Sequence, residues 1–163
     1  MLVQDQSSHP GNQALRKGRI SLPGHAYIMT MVTNQRRKLF GDLYPGRVVV
    51  KEMHHLHKLG AAGSLAFVVM PDHLHWLFTL GEGWTLAQLA QSLKGRSAKK
   101  LGEQGIRPVW QRGYHDHGVR DDEDLRRLAR YIVANPLRAG LVKRVSDYPL
   151  WDAVWLTETG KRS

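Results

Sequence analysis

The chain has 163 residues and no cysteine, and its 24 lysines and arginines exceed its 14 aspartates and glutamates by a formal charge of +10. This length suits one domain with its own core, and the lack of cysteine excludes disulfides, thiolate metal sites and cysteine nucleophiles. No apolar run reaches the ~20 residues of a membrane span, and no secretory signal is visible, so we expect a cytoplasmic, nucleoid-associated protein without a membrane partner. The positive charge favours a polyanionic partner.

The first part of the chain predicts an arm, a strand and a helix. Residues 1–20 are polar and basic without an apolar period, which predicts a flexible basic N-terminal arm. The β-prone stretch 25–33 predicts a strand. Apolar side chains at helical spacing predict a helix over about 47–59, and Gly60 is a suitable residue to end it.

The middle of the chain predicts a hairpin of two strands followed by a helix. The continuous apolar run 65–70 is typical of a buried strand. After a turn at Pro71-Asp72, residues 73–80 predict the returning strand. Thr85 is a suitable N-cap for a helix whose apolar face begins at Leu86.

The last part of the chain predicts an irregular segment and a late helix. Residues 102–120 are glycine-rich and loop-like. A helix over about 122–135 is expected to be capped by Asp121 and ended by Pro136. With a tail over 157–163, the order of elements predicts an α+β sandwich.

Two histidines in the strand 73–80 form the strongest local signal. Side chains alternate between the faces of a strand, so His73 and His75 point the same way, with their Cα atoms about 6.6 Å apart. Two imidazoles at this spacing can bind one divalent ion. The alternative is a pair of polar residues on the solvated face of a strand. His115 and His117 alternate similarly, and they either orient groups near a site or are simply polar.

A tyrosine and an asparagine form a second candidate pair in the late helix. Tyr131 and Asn135 are four residues apart, which places a phenol one turn from an amide oxygen that can bind a hard cation or a phosphate. A tyrosine can attack phosphorus if a metal polarises the phosphate. Spacing alone leaves four alternatives, namely Tyr27, Tyr44, Tyr114 and Tyr148.

Three blocks of sequence resemble a known family. Residues 69–76, VMPDHLHW, resemble the histidine–hydrophobe–histidine (HUH) strand of single-tyrosine transposases. Residues 110–117, WQRGYHDH, and 131–140, YIVANPLRAG, are similar to the later blocks of REP-associated tyrosine transposases. The entry into the first strand, 19–27, is also similar, and the resemblance runs in order from about residue 16 to 156.

The resemblance implies a fold and the roles of four residues. It implies a ferredoxin-like α+β domain over 21–156, an antiparallel sheet with helices packed on it, the HUH motif on a central strand and the tyrosine on a facing helix. His73 and His75 would bind Mg²⁺ or Mn²⁺, and Tyr131 would be the nucleophile. Asn135 would be the third metal ligand, where insertion-sequence relatives use glutamine.

The resemblance also implies an activity. We expect metal-dependent nicking and joining of single-stranded DNA through a 5′-phosphotyrosine, on hairpins of palindromic REP type, by a monomer or a homodimer. One alternative is a hairpin-binding protein without activity, and the other is a metal-dependent hydrolase that uses water. Basic side chains are expected to hold the strand. These are Arg16, Lys17, Arg19, Arg36, Arg37, Lys94, Arg96, Lys99 and Lys100.

Overall fold

The computed structural model describes residues 21–154. The predicted N-terminal arm, with Arg16, Lys17 and Arg19, and the predicted tail therefore lie outside the described residues. In chain order the elements are β1 (Ala26–Val32), α1 (Leu43–Lys58), β2 (Ala62–Met70), β3 (His73–Leu80), α2 (Leu86–Gly102), β4 (His115–Val119), α3 (Asp122–Val133), α4 (Asn135–Arg138) and β5 (Trp151–Ala153). Within this part of the chain, no helix is long and apolar enough to cross a membrane.

The five strands form one antiparallel sheet in the order β4-β1-β3-β2-β5. The succession βαββαβ and the order 4-1-3-2 of its strands are ferredoxin-like, and β5 extends the sheet beyond β2. The predicted α+β fold is therefore confirmed. Strand β3 lies in the middle and pairs with a neighbour on each side.

Helices α1 and α2 cover one face of the sheet. The residues of β3 that point to this face, from Leu74 to Leu80, are almost completely buried. Trp76 stacks near Phe78, with 4.9 Å between ring centroids, and its indole nitrogen donates to the Ser64 hydroxyl at 3.0 Å. This face carries the larger of the two apolar clusters that the described residues form.

Helix α3 packs on the opposite face. Its buried residues Ala129 and Ile132 contact a second apolar cluster that includes Val68, Met70 and Leu77. Leu77 alternates with the residues that point to α1 and α2, so the odd-numbered residues of β3 face α3. The two faces of β3 therefore differ in the helices that they meet.

The three predicted strands and the first predicted helix are present, and the bounds of β1, β2 and α1 are shifted. Strand β3 has the predicted bounds. Helix α1 begins at Leu43, earlier than predicted, because Pro45 lies in the first turn, where a missing backbone N–H costs nothing. Gly60 adopts φ +80° directly after the helix, as a C-terminal cap does.

The segment expected to be irregular contains a strand. His115–Val119 pairs with β1, with His115 opposite Thr30 and Val119 opposite Ala26. Its sequence, HDHGV, has little β-propensity, so the pairing with β1 rather than local preference determines its conformation. Strand β5, with three residues, was not predicted either.

The late helix ends earlier than predicted and is followed by a second, short helix. Asp121 caps α3 as expected, since its side chain accepts a hydrogen bond from the Asp124 N–H at 3.0 Å. Helix α3 ends at Val133, and Pro136 lies in the first turn of α4 instead of ending the late helix. Tyr131 and Asn135 are therefore on two consecutive helices, which contradicts the prediction of one continuous helix.

Candidate functional site

The histidine pair of β3 lies on the face that α3 covers. His73 is opposite Met70, and His75 is opposite Val68, two residues of the cluster that contacts α3. The centroids of the two imidazole rings are 4.7 Å apart, with an angle of 74° between the ring planes. The predicted convergence of two imidazoles on one side of the strand is therefore present.

Each imidazole is held through its Nδ1 atom. The Nδ1 of His73 donates to Asp72 Oδ1 at 2.7 Å. The Nδ1 of His75 lies 2.8 Å from the Thr30 hydroxyl on β1. When Nδ1 carries the proton in such pairs, Nε2 keeps a lone pair and is the nitrogen that can bind a metal ion.

Burial and neighbouring charges favour a neutral His75 and an ionised Asp72. Burial, then the nearby His73 and the positive charge of Arg138, lower the pKa of His75 to about 4, so this ring is neutral. Burial alone would raise the pKa of Asp72, but its hydrogen bond with His73 and the charges of His73 and Arg36 hold that pKa below its usual value. An ionised Asp72 then accepts a hydrogen bond from the His73 Nδ1–H group.

Arg36 completes a row of polar contacts that ends at His73. Its Nε donates to Asp72 Oδ2 at 3.2 Å. Gln35 and Arg36 have φ angles of 56° and 51°, a left-handed backbone that residues other than glycine rarely adopt. Backbone strain of this kind often accompanies a functional position.

Tyr131 is exposed beside this face, with 58% of its surface accessible. It lines an open cavity of about 550 Å³ between β4 and α3, together with His117, Arg120 and Arg127. The guanidinium carbon of Arg138 lies 3.6 Å from the centroid of the Tyr131 ring. The phenol therefore borders a space that a nucleotide can enter.

The four other tyrosines are less suitable as nucleophiles. The hydroxyl of the buried Tyr27 accepts from the Leu22 N–H at 2.9 Å. The Tyr148 hydroxyl donates to the Val69 carbonyl at 2.6 Å, and burial raises the pKa of Tyr148 to about 12. Tyr44, on α1, and Tyr114 belong to the α1 and α2 side of the sheet.

Asn135 is turned toward Arg138. Its Oδ1 accepts from Arg138 Nη2 at 2.8 Å, while its buried Nδ2 has no hydrogen-bond partner in the part of the chain that the structure describes. No group of three or more His, Cys, Asp or Glu residues forms a metal site among residues 21–154. As types of donor, two imidazole nitrogens and an amide oxygen suit a divalent ion, and the Asn135 oxygen is hydrogen-bonded to Arg138.

Three residues that contact this set were not predicted from the sequence, namely Thr30, Asp72 and Arg138. Thr30 contacts His75 because the register of β1 and β3 places them opposite each other, and Asp72 contacts His73 through its side-chain conformation. Neither property can be read from the sequence. Arg138 had one visible signal, since it follows Asn135 by three residues, the spacing at which helical side chains meet.

The histidines of β4 share the face of the histidine pair. His115 is opposite Thr30, and His117 is opposite Ile28, which packs against the cluster under α3. Paired residues of neighbouring strands point to the same side of a sheet. The strand that sequence analysis missed therefore brings two more imidazoles to the side where Tyr131 lies.

Two of the predicted DNA-binding cations on α2 have partners inside the protein. Lys94 Nζ donates to the carbonyls of Gln111, at 2.8 Å, and of Gly113. Arg96 Nε donates at 2.7 Å to Glu52, whose side chain is only 5% exposed. Through these contacts α2 is bonded to the segment that precedes β4 and to α1, on the side of the sheet opposite the histidine pair.

The remaining described cations predicted to hold DNA lie in the last turn of α2 and in the turn after β1. Lys99 and Lys100 are exposed in the last turn of α2. Arg37 donates to the Pro108 carbonyl at 2.6 Å and follows Arg36, whose partner Asp72 contacts the histidine pair. Of the described cations predicted to hold DNA, Arg36 has a contact with the candidate site, through Asp72.

The fold and the site together define a class of protein: a ferredoxin-like domain with a histidine pair on its middle strand and an exposed tyrosine on a helix over the same face. The family model described as "Transposase IS200 like" matches residues 21–135. The chain belongs to this IS200-like transposase family.

Individual relatives agree with this assignment. The chain is 37% identical to the REP-associated tyrosine transposase of Escherichia coli K12 over 86 residues, which cover 52% of this chain and 50% of that protein. It is also 28% identical to a Haemophilus influenzae protein described as a "Putative REP-associated tyrosine transposase". That match extends over 145 residues, which cover 77% of this chain and 78% of the relative. The chain thus spans half of the first relative and more than three quarters of the second.

A solved structure extends the comparison to three dimensions. A REP-associated tyrosine transposase bound to a REP hairpin superposes with a TM-score of 0.66 and 27% identity, covering 82% of this chain and 79% of that chain. The resemblance inferred from the three sequence blocks is therefore confirmed.

Proposed function

We propose that this protein nicks and rejoins single-stranded DNA at hairpins of REP type, with Tyr131 as the nucleophile and His73, His75 and Asn135 as ligands of Mg²⁺ or Mn²⁺. The proposal depends on the arrangement of these side chains. The histidine pair and the exposed Tyr131 lie on the same side of the sheet, and Arg138 contacts Tyr131 and Asn135 while its charge acts on His75.

The chemistry is a transfer between phosphodiesters. The Tyr131 oxygen bonds to phosphorus, the bond from phosphorus to the 3′ oxygen breaks, the phenolic proton is released and the 3′ oxygen becomes a hydroxyl. The product is a 5′-phosphotyrosine. A 3′-hydroxyl then attacks this link and restores the free phenol, so the DNA is rejoined without an external energy source.

The side chains around the histidine pair prepare the site for a cation. Asp72 and Thr30 contact the Nδ1 atoms of the two rings and so leave both Nε2 atoms for a ligand, and burial of His75 keeps its ring neutral. A bound Mg²⁺ or Mn²⁺ would polarise the scissile phosphate and orient it. Asn135 would supply an oxygen from the helix that follows the nucleophile.

Charge and family membership support the choice of substrate. The net charge of +10 favours a polyanion. The similar transposase structure is bound to a REP hairpin. An open cavity beside Tyr131 accepts an unpaired nucleotide more easily than a base pair in a duplex.

A denaturing gel with a labelled hairpin oligonucleotide, taken from the palindromic DNA that flanks the gene, tests the proposal. With Mn²⁺, the wild type is expected to form a covalent adduct that protease removes. Tyr131→Phe is expected to lose the adduct entirely while it still binds the hairpin, because only the nucleophilic oxygen is missing. Tyr44→Phe is the matched control, since Tyr44 is similarly exposed but lies on α1.

The same gel separates the alternatives. Free cut DNA without an adduct would indicate a hydrolase that uses water, and uncut, bound DNA would indicate a hairpin-binding protein. An adduct formed by Tyr131→Phe at the wild-type rate would refute the assigned nucleophile. His73→Ala is expected to abolish the stimulation by Mn²⁺.

A further inference from the structure

We infer that Arg138 is a phosphate-binding residue of this site, and that it holds Asn135 Oδ1 only until a phosphate of the DNA strand replaces that contact. This inference rests on the proposed function and adds a residue to it. Arg138 is exposed at the end of α4, close to Tyr131 and Asn135. Arg120 and Arg127 line the cavity beside Tyr131, and the guanidinium of Arg138 lies against the phenol ring itself.

The position of the guanidinium is defined by two contacts. One face of Arg138 covers the Tyr131 ring, 3.6 Å from its centroid, and one Nη2–H donates to Asn135 Oδ1 at 2.8 Å. The charge also acts on His75. Arg138 therefore lies among the nucleophile, one predicted metal ligand and the amide that is predicted to be another.

The guanidinium has donors left for a ligand. It carries five N–H groups in one plane, and stacking on a ring uses its face but not its edge. Within residues 21–154, the Asn135 amide is its one hydrogen-bond acceptor. Such a planar edge fits two oxygens of a phosphodiester, which makes this anion the chemistry that the site favours.

Asn135 gives a reason for an exchange of partners. Its Oδ1 is occupied by Arg138, and its buried Nδ2 has no partner among the described residues. Arg138 donates to one of the two lone pairs of Oδ1, and its positive charge would repel a cation bound at the other. If a phosphate attracts Arg138, Asn135 Oδ1 becomes available, so arrival of the DNA strand and completion of the metal site are coupled.

The first test uses Arg138→Ala and Arg138→Lys, with Arg130→Ala as the control, because Arg130 is an exposed cation on the helix that carries Tyr131. Arg138→Ala is expected to slow adduct formation about 100-fold, as loss of one charge-stabilising donor does, and Arg138→Lys less. Millimolar guanidinium chloride is expected to restore part of the rate of Arg138→Ala. A full rate in Arg138→Ala, or no rescue in a variant with wild-type thermal stability, would overturn the inference.

The second test does not depend on turnover. Calorimetric titration with Mn²⁺ in the absence of DNA is expected to show that Arg138→Ala binds the ion at least as tightly as the wild type, since Asn135 Oδ1 is released. Weaker Mn²⁺ binding would mean that Arg138 only supports the metal ligands, and would overturn the exchange.

Failure of the proposed function is distinguishable from failure of this inference. In the Tyr131→Phe background, Arg138→Ala is expected to weaken hairpin binding about tenfold, and Arg130→Ala much less. If the wild type forms no adduct but this difference is present, the phosphate contact stands and the nucleophile assignment falls. Equal hairpin binding by both variants would refute the phosphate contact.

Discussion

At the scale of single residues, the candidate site depends on partners that fix the imidazoles. Asp72 and Thr30 each form a hydrogen bond with an Nδ1 atom, and these bonds fix the orientation of both rings before a ligand binds. Arg36 in turn holds Asp72 through Oδ2. A row of contacts therefore links the left-handed turn after β1 to the Nδ1 atom of His73.

Asp72→Asn is expected to weaken Mn²⁺ binding about 10- to 100-fold, because the neutral amide no longer fixes the proton on His73 Nδ1. Calorimetric titration measures the change. Asp147→Asn removes a carboxylate that pairs with Arg144 at the surface and is expected to leave the affinity unchanged. Unaltered Mn²⁺ affinity in Asp72→Asn would show that the hydrogen bond does not support the site.

At the scale of elements, α3 and α4 carry Tyr131 and Asn135, the proposed nucleophile and metal ligand, while α1 and α2 pack against the larger apolar cluster. Two glycines differ in the space that their surroundings leave for a side chain. Gly95 lies in α2 with open space where a Cβ would be, whereas a Cβ on Gly81, after β3, would overlap the backbone carbonyl of Gly60, after α1. The ends of β3 and α1 therefore meet in a contact that admits no side chain.

Gly95→Ala is expected to stabilise the protein by about 0.5–1 kcal/mol, because alanine loses less backbone entropy in a helix. Gly81→Ala is expected to destabilise it by roughly 1–3 kcal/mol, since the backbone must move apart. Urea unfolding followed by circular dichroism measures both. Equal stabilities of the two variants would contradict the described packing.

At the scale of the whole molecule, the protonation of His75 affects the free energy of unfolding as well as the proposed site. The pKa of His75 is lowered to about 4, from 6.5 when unperturbed, by burial and by the charges of His73 and Arg138. An unfolded chain protonates this histidine below about pH 6.5, whereas the folded chain does so only near pH 4. The group therefore favours the folded state above pH 6.5, and this contribution is lost as the pH falls toward 4.

The free energy of unfolding is accordingly expected to decrease between pH 7 and pH 4.5, with a contribution from His75 of order 2–3 kcal/mol. His75→Gln removes the titrating group and is expected to show a shallower decline over the same range. Urea titrations at the two pH values provide the comparison. Parallel declines in the wild type and the variant would show that His75 does not titrate as described.

The amino-acid sequence by itself determined the family, the hairpin of β2 and β3 and the shared direction of His73 and His75. These follow from ordered motifs and from the two-residue period of a strand, both of which are local properties. The caps at Thr85 and Asp121 are local in the same way, and both are present.

Only the tertiary structure decided which of the other groups meet at the site. Strand β4 has little propensity of its own and forms because β1 offers an edge to pair with. Thr30 reaches His75 through sheet register, and Arg138 reaches both Tyr131 and Asn135 because the chain continues in a second helix after Val133. Contacts between residues distant in sequence depend on register and packing, which no local pattern encodes.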